Sequence, residues 1–218
     1  MWCIGKITPE YLKRMYDILD LYQEPYNPKK PVIGFDEKPK QLLGEKRMPI
    51  PLQPGKIEKY DYEYIRNGKA NIFVAVEPKH GKRITKVTKQ RTKKDFAKFM
   101  EEMILSYPYA EKLRVVLDNL NTHSKNSFYE TFEKKEAEKI LSKLEFHYTP
   151  KHASWLNVAE IEISAMDTEC TDRRIKDISF LRKEVKACTK MRNKEGCKID
   201  WRFTKEDADR KLAKHYVT

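Results

Sequence analysis

Arg114-Val115-Val116-Leu117-Asp118 is a short apolar run that stops on a carboxylate, and an earlier stretch, Pro31-Val32-Ile33-Gly34-Phe35-Asp36-Glu37, has the same form. Runs of this length and composition read as buried strands. Helices surround them. Thr8 and Pro9 open a helix carrying Leu12, Met15, Ile18, Leu19 and Tyr22 at helical spacing, ending before Pro25. Lys93 to Tyr107 sets Phe96, Phe99, Met100, Met103 and Ile104 on one face, with Thr92 as cap. Glu133 to Leu144 is a charged amphipathic helix, and Glu145 to Tyr148 a short strand closed by Thr149-Pro150. A helix follows Trp155 through Val158, Ile161 and Ala165, and two more run near Ile178–Arg192 and Lys205–Tyr216. Between the first strand and the Lys93 helix lies a polar, proline-rich loop from Lys38 to Lys56, then a meander of three strands. Tyr60–Tyr64 turns at Asn67-Gly68 into Ala70–Val76, and Pro78–Gly81 turns into Arg83–Val87.

This order predicts an α/β protein with a mixed sheet and helices on its faces. Right-handed crossovers make the later strands parallel to the first, so the strands ending at Asp36 and Asp118 lie side by side near the sheet centre. Ligand chemistry in such sheets gathers at the carboxyl ends of central strands. The reading divides the chain into an N-terminal helix and linker (1–30), a mixed-sheet domain (31–170) and a C-terminal helical extension (171–218).

The 218 residues carry 45 Lys and Arg against 33 Asp and Glu, a net charge of +12, which favours a polyanionic partner. No apolar run reaches the ~20 residues of a membrane span and no signal peptide follows Met1, so a soluble cytosolic protein is expected. Lys79 to Lys94 holds eight cations and no acid. Lys82, Arg83, Lys86, Lys89 and Arg91 are candidate phosphate contacts, with edge lysines that block aggregation as the alternative. Cys3, Cys170, Cys188 and Cys197 show no zinc-ligand spacing.

Three acids stand out. Singly, Asp36 could cap a turn or pair with Lys38, Asp118 could open a loop, and Glu160 could close a capping box on Asn157. Together they are two acids ending buried strands and a third in the first turn of a later helix. Such a cluster persists around a divalent metal, and oxygen ligands suit Mg²⁺ or Mn²⁺. Two such ions about 3.5–4 Å apart support in-line phosphoryl displacement.

The runs 34–39, 64–75, 116–123, 145–162 and 200–204, among them Val116-Leu117-Asp118-Asn119-Leu120-Asn121-Thr122-His123, resemble the insertion sequence 630 family of transposases, the prokaryotic branch of the mariner-like superfamily. The resemblance implies a ribonuclease H-like mixed five-stranded sheet flanked by helices, with additional C-terminal helices. It implies a metal triad of Asp36, Asp118 and Glu160 holding two Mg²⁺ ions, with Mn²⁺ as substitute. Glu162 is the rival third ligand. Two residues along a helix are about 200° apart, so one of the pair faces the metals, and the Leu156-Asn157-x-x-Glu160 pattern selects Glu160. Asn119, His123 and His152 are candidates for orienting substrate, with loop and cap hydrogen bonds as the alternative. The implied activity is cleavage of element ends and joining of 3′-hydroxyls to target DNA, commonly at TA, by a homodimer in the prokaryotic cytoplasm. Family members place a helix-turn-helix DNA reader before the catalytic domain. Here 35 residues precede Asp36, so the reader is expected to be truncated, separately encoded as a partner polypeptide, or lost. The competing reading is a catalytically idle DNA-binding or dimerisation remnant.

Overall fold

The computed structural model describes residues 6–216, so Cys3 lies outside it. A five-stranded mixed sheet in the order β3-β2-β1-β4-β5 organises the chain: β1 (Val32–Glu45), β2 (Tyr64–Glu77), β3 (Lys82–Thr88), β4 (Leu113–Leu117) and β5 (Leu144–Tyr148). β1, β2 and β3 form an antiparallel meander, and β4 and β5 add parallel to β1. The helices are α1 (Pro9–Gln23), α2 (Lys93–Leu105), α3 (Lys125–Tyr129), α4 (Lys134–Ser142), α5 (Ala159–Met166), α6 (Ile178–Glu195) and α7 (Lys205–Leu212).

Two sequence expectations about strands are corrected. The first strand does not stop near Asp36; it continues through Pro39 to Glu45. β4 flanks β1 at Val32–Gly34, so beyond that point the β4 side of β1 is an open edge, where a proline is tolerated. The Asn67-Gly68 pair is not a hairpin turn either. It lies inside β2, where the β1–β2 register shifts between Gln41 and Leu43, and Gly68 takes φ 102°. The extra residue is absorbed as a bulge that only glycine accommodates readily. Two expected meander strands are therefore one, and the sheet has five strands.

Strand alternation gives each sheet face its own core. Ile33, Phe35, Phe73, Val115 and Leu117 meet Phe96, Phe99, Met100 and Met103 of α2 and Phe128 of α3. Phe35, Phe73, Phe96, Phe99 and Phe128 are fully buried, each contributing about 1.5–3 kcal/mol. On the other face Val76 and Val116 pack with α1, the start of α5 and α7, while Ile72, Val74 and Val87 pack with Met166 and with Leu181 and Val185 of α6. The caps expected at Thr8 and Thr92 are present, the latter as a capping box with Asp95.

Candidate active site

The parallel register of β1 and β4 pairs Gly34 with Val116. Carried two residues further, it sets Asp36 level with Asp118, just past the end of β4. Asp36 is thus inside β1 rather than at its end; what ends beside it is β4. The third acid arrives by close packing. A Cβ on Gly34 would stand 2.4 Å from Val158 Cγ1 and 2.9 Å from Ala159 N, so glycine is what lets the start of α5 lie directly on β1. Asn157, fully buried, ties the two together. Its Nδ2 donates to the Phe35 carbonyl at 2.8 Å and towards Asp36 Oδ2 at 3.3 Å, while its Oδ1 accepts from Ala159 N–H at 3.1 Å. From α1, the Tyr22 hydroxyl donates to the Leu156 carbonyl and accepts from Val158 N–H. Glu160, one turn on, is exposed and its carboxylate has no hydrogen-bond or ion-pair partner among the described residues.

The electrostatics are those of an under-compensated acid cluster. Burial, reinforced by the charges of Glu160, Asp118 and Glu37, pushes the Asp36 carboxyl up to about 7, against one backbone hydrogen bond from Glu37 N–H. Asp118 goes the other way: burial opposes its charge, but the hydrogen bond and charge of His123, the Leu120 N–H and nearby Arg91 hold it below the usual carboxylate range. His123 Nδ1 lies 2.6 Å from Asp118 Oδ1 and Nε2 lies 2.7 Å from Glu37 Oε1. Burial disfavours the imidazolium, yet the two carboxylates raise His123 to about 9, so both ring nitrogens donate at neutral pH.

A family model described as DDE superfamily endonuclease matches residues 31–182. The chain belongs to the DDE superfamily endonucleases. The solved Mos1 transposase paired-end complex with left transposon end is similar at a TM-score of 0.55 and 13% identity, over 87% of this chain and 59% of that one. The mariner Mos1 paired-end complex with Mg gives 0.55 at 12% identity, over 100% of this chain and 66% of that one, and the complex with Mn gives 0.52 at 13%, over 88% and 58%. The DDE domain therefore has the ribonuclease H-like fold of those chains and spans about six-tenths of their length. No curated protein matches it.

Across this DDE domain the structure separates residues that the sequence grouped. Glu162, the rival of Glu160, is wholly buried. Its Oε1 stands 2.8 Å from both Arg83 Nε and Arg192 Nε, and its Oε2 3.1 Å from Arg192 Nη2, with Arg192 Nη1 reaching Glu169 at 2.5 Å. The Arg83 contact is ionic, because its N–H is not aimed at the oxygen. Arg83 is therefore not a surface phosphate contact: Glu162 holds it in the core. Lys82 is also turned inward, its ammonium 3.8 Å from the Tyr107 ring centroid, and Lys86 pairs with Glu102 at 2.5 Å. Lys89 and Arg91 are exposed at the site's end of β3. Lys38 pairs with Asp167 at 2.5 Å, not with Asp36. Asn119 spends its amide on the protein, donating to the Thr149 carbonyl at 2.5 Å and accepting from Arg14 at 2.7 Å. His152 is exposed on the turn after β5 at φ 64°, without a side-chain hydrogen bond among the described residues.

Asp36, Asp118 and Glu160 offer the all-oxygen donor chemistry that suits Mg²⁺ or Mn²⁺, and a cation there would offset the burial and neighbouring negative charge that raise Asp36. Among the described residues no three acid, His or Cys side chains already form a closed ligand set. An ion would have to draw Glu160, the freely exposed member, towards the two aspartates. The sequence reading missed Glu37 and Asn157's clamp on Asp36. Period-2 alternation carried a signal for Glu37, since it shares the aromatic face of β1 with Phe35, where a carboxylate needs a partner.

Proposed function

We propose that this DDE domain is the catalytic domain of an insertion sequence 630-type transposase, cleaving DNA at element ends and joining the 3′-hydroxyls to target DNA. The observation that supports this most is the level placement of Asp36 and Asp118 with unpaired Glu160 near enough to raise Asp36, while neighbouring Glu162 is neutralised by arginines. Asp36, Asp118 and Glu160 would hold two Mg²⁺ ions, or Mn²⁺, which when bound activate water or a hydroxyl and stabilise the leaving oxygen. Asn157 fixes Asp36, and Gly34 sets how closely Glu160 approaches.

DNA phosphates would run over Lys89 and Arg91 and into a groove of about 730 Å³ between β3 and α6. Arg182, Lys186 and Lys190 line it at one-turn intervals, over a floor of Val87 and Val185 and with no acid in the lining. Arg182 Nε donates to the Val87 carbonyl at 3.4 Å, and Asn193 bonds Arg83 at the far end, so the groove descends from the site's end of β3. The β1–β2 connection exposes Met48, Ile50, Leu52, Ile57, Tyr60 and Tyr62, an apolar surface suited to a second copy in a DNA-bound homodimer. On this reading the partners are element-end DNA and a TA-containing target, with the ends read by a helix-turn-helix segment or separate polypeptide, in the cytoplasm of a prokaryote. No helix among the described residues is long and apolar enough to cross a membrane.

The test is nicking of duplexes carrying the element's ends in Mg²⁺ or Mn²⁺, with the DNA-reading segment present. Metal-dependent nicking lost in Asp36→Ala, Asp118→Ala and Glu160→Ala is expected. Nicking unchanged in all three ends the catalytic reading, and DNA binding or dimerisation without nicking would leave the idle remnant. Cleavage of RNA–DNA hybrids without joining would mark a ribonuclease instead.

A further inference from the structure

Resting on the reading of Asp118 as a metal ligand, we propose that Glu37 and His123 form a buried brace that decides which oxygen of Asp118 is presented to the cation. Asp118 follows β4 on a loop, where an aspartate would otherwise rotate freely. Its Oδ1 is occupied twice, by His123 Nδ1 at 2.6 Å and by Leu120 N–H at 3.1 Å. Oδ2 has no hydrogen-bond partner among the described residues, and the side chain is 42% exposed. One oxygen is held and the other offered.

The brace is itself immobilised. The His123 side chain has no exposed surface, with its ring 5.3 Å from that of Phe35 and 4.8 Å from that of Phe96. Its main chain closes the loop: N–H donates to the Leu120 carbonyl at 2.8 Å, and the carbonyl accepts from the Tyr148 hydroxyl at 2.7 Å. Glu37, 2% exposed, anchors the far ring nitrogen from the aromatic face of β1. Glu37 and His123 spend their buried polar atoms on each other and on Asp118, the one member of the three that reaches the surface. Partners that orient metal ligands typically alter metal affinity by about 10–100-fold when removed. Glu37 and His123 are thus positioning residues: neither needs to touch the ion.

Mn²⁺ binding to the whole chain, followed by electron paramagnetic resonance of the free ion, tests the brace without requiring turnover. Glu37→Ala and His123→Ala are expected to raise the Mn²⁺ dissociation constant about 10–100-fold, while Glu37→Gln, which still accepts from Nε2–H, returns most of the affinity. Met103→Ala, in the same core but remote from the loop, controls for destabilisation and should bind Mn²⁺ as the parent does. If Glu37→Ala does not fold, Glu37→Leu fills the space and takes its place with the same two outcomes. Asp118→Asn separates the failures. If it leaves Mn²⁺ binding unchanged, the metal-site reading falls. If it abolishes binding while the Glu37 and His123 variants stay within about twofold of the parent, the brace is overturned and the metal site stands.

Discussion

Glu160 and Glu162 are two residues apart on α5 and have opposite fates. Glu160 is exposed, near enough to Asp36 to act on its charge, and meets no cation among the described residues, whereas Glu162 is sealed between Arg83 and Arg192. The first belongs to a cluster in which burial, reinforced by neighbouring carboxylates, raises Asp36 to about 7; the second belongs to a network in which every charge is answered. A structural carboxylate is neutralised by the protein itself. One left uncompensated next to others stores an electrostatic cost that a bound cation could relieve.

The strongest way to break this comparison is to swap the roles. Loss of a metal ligand removes several kcal/mol of transition-state stabilisation, so Glu160→Ala should lower nicking by about 10³-fold or more, at 1.36 kcal/mol per decade. A folded Glu162→Gln should keep most activity, and single-turnover nicking measures both; the inverse result would reassign the third ligand. Stability should divide the opposite way. Glu162→Ala strands two buried guanidinium groups and should cost about 3–5 kcal/mol in urea unfolding. Glu160→Ala, exposed and unpaired, should stay within about 0.5 kcal/mol.

A pH series sharpens the contrast. Asp36 has a folded pKa raised above its unfolded value, so its charged form destabilises the native state above that range and the penalty fades as pH drops. Metal-free Asp36→Asn should therefore melt higher than the parent at pH 8, with the gap narrowing below about pH 7 and closing only at about pH 4, where the unfolded carboxyl also takes up its proton. No gap at pH 8 would mean the cluster is not strained. The smallest effect concerns the cations. Lys186→Ala with Lys190→Ala should reduce the slope of log K against log salt by about 2, from ~0.9 per phosphate contact, whereas Lys82→Ala, turned onto Tyr107, should leave it unchanged.

Much of the fold was legible because its signals are local. Buried strands at Val32 and Arg114, the capped helices at Thr8 and Thr92, and the mixed sheet with parallel β1 and β4 all follow from runs and spacings read within a few residues. The Lys38–Lys56 stretch misled, because prolines speak against a strand unless one of its sides is an open edge. Asn67-Gly68 misled because the same dipeptide serves a hairpin turn and a bulge. The basic run from Lys79 to Lys94 was legible as charge and not as surface: β3 carries Arg83 into the core against Glu162 and ends at Thr88, before the exposed Lys89 and Arg91.

By itself the sequence determined an acid on the first strand, one after β4 and one on α5, the helical rotation that forces a choice between Glu160 and Glu162, and a positive excess suited to a polyanion. Tertiary structure alone decided how each charge is treated. Glu162 is answered by Arg83 and Arg192, Asp118 is braced by His123 and Glu37, and Asp36 is left to its neighbours. The reason is range. Strand and helix periodicity is written in adjacent residues, but the cost of a buried charge depends on which partner is folded against it, and those partners lie on other elements of the chain.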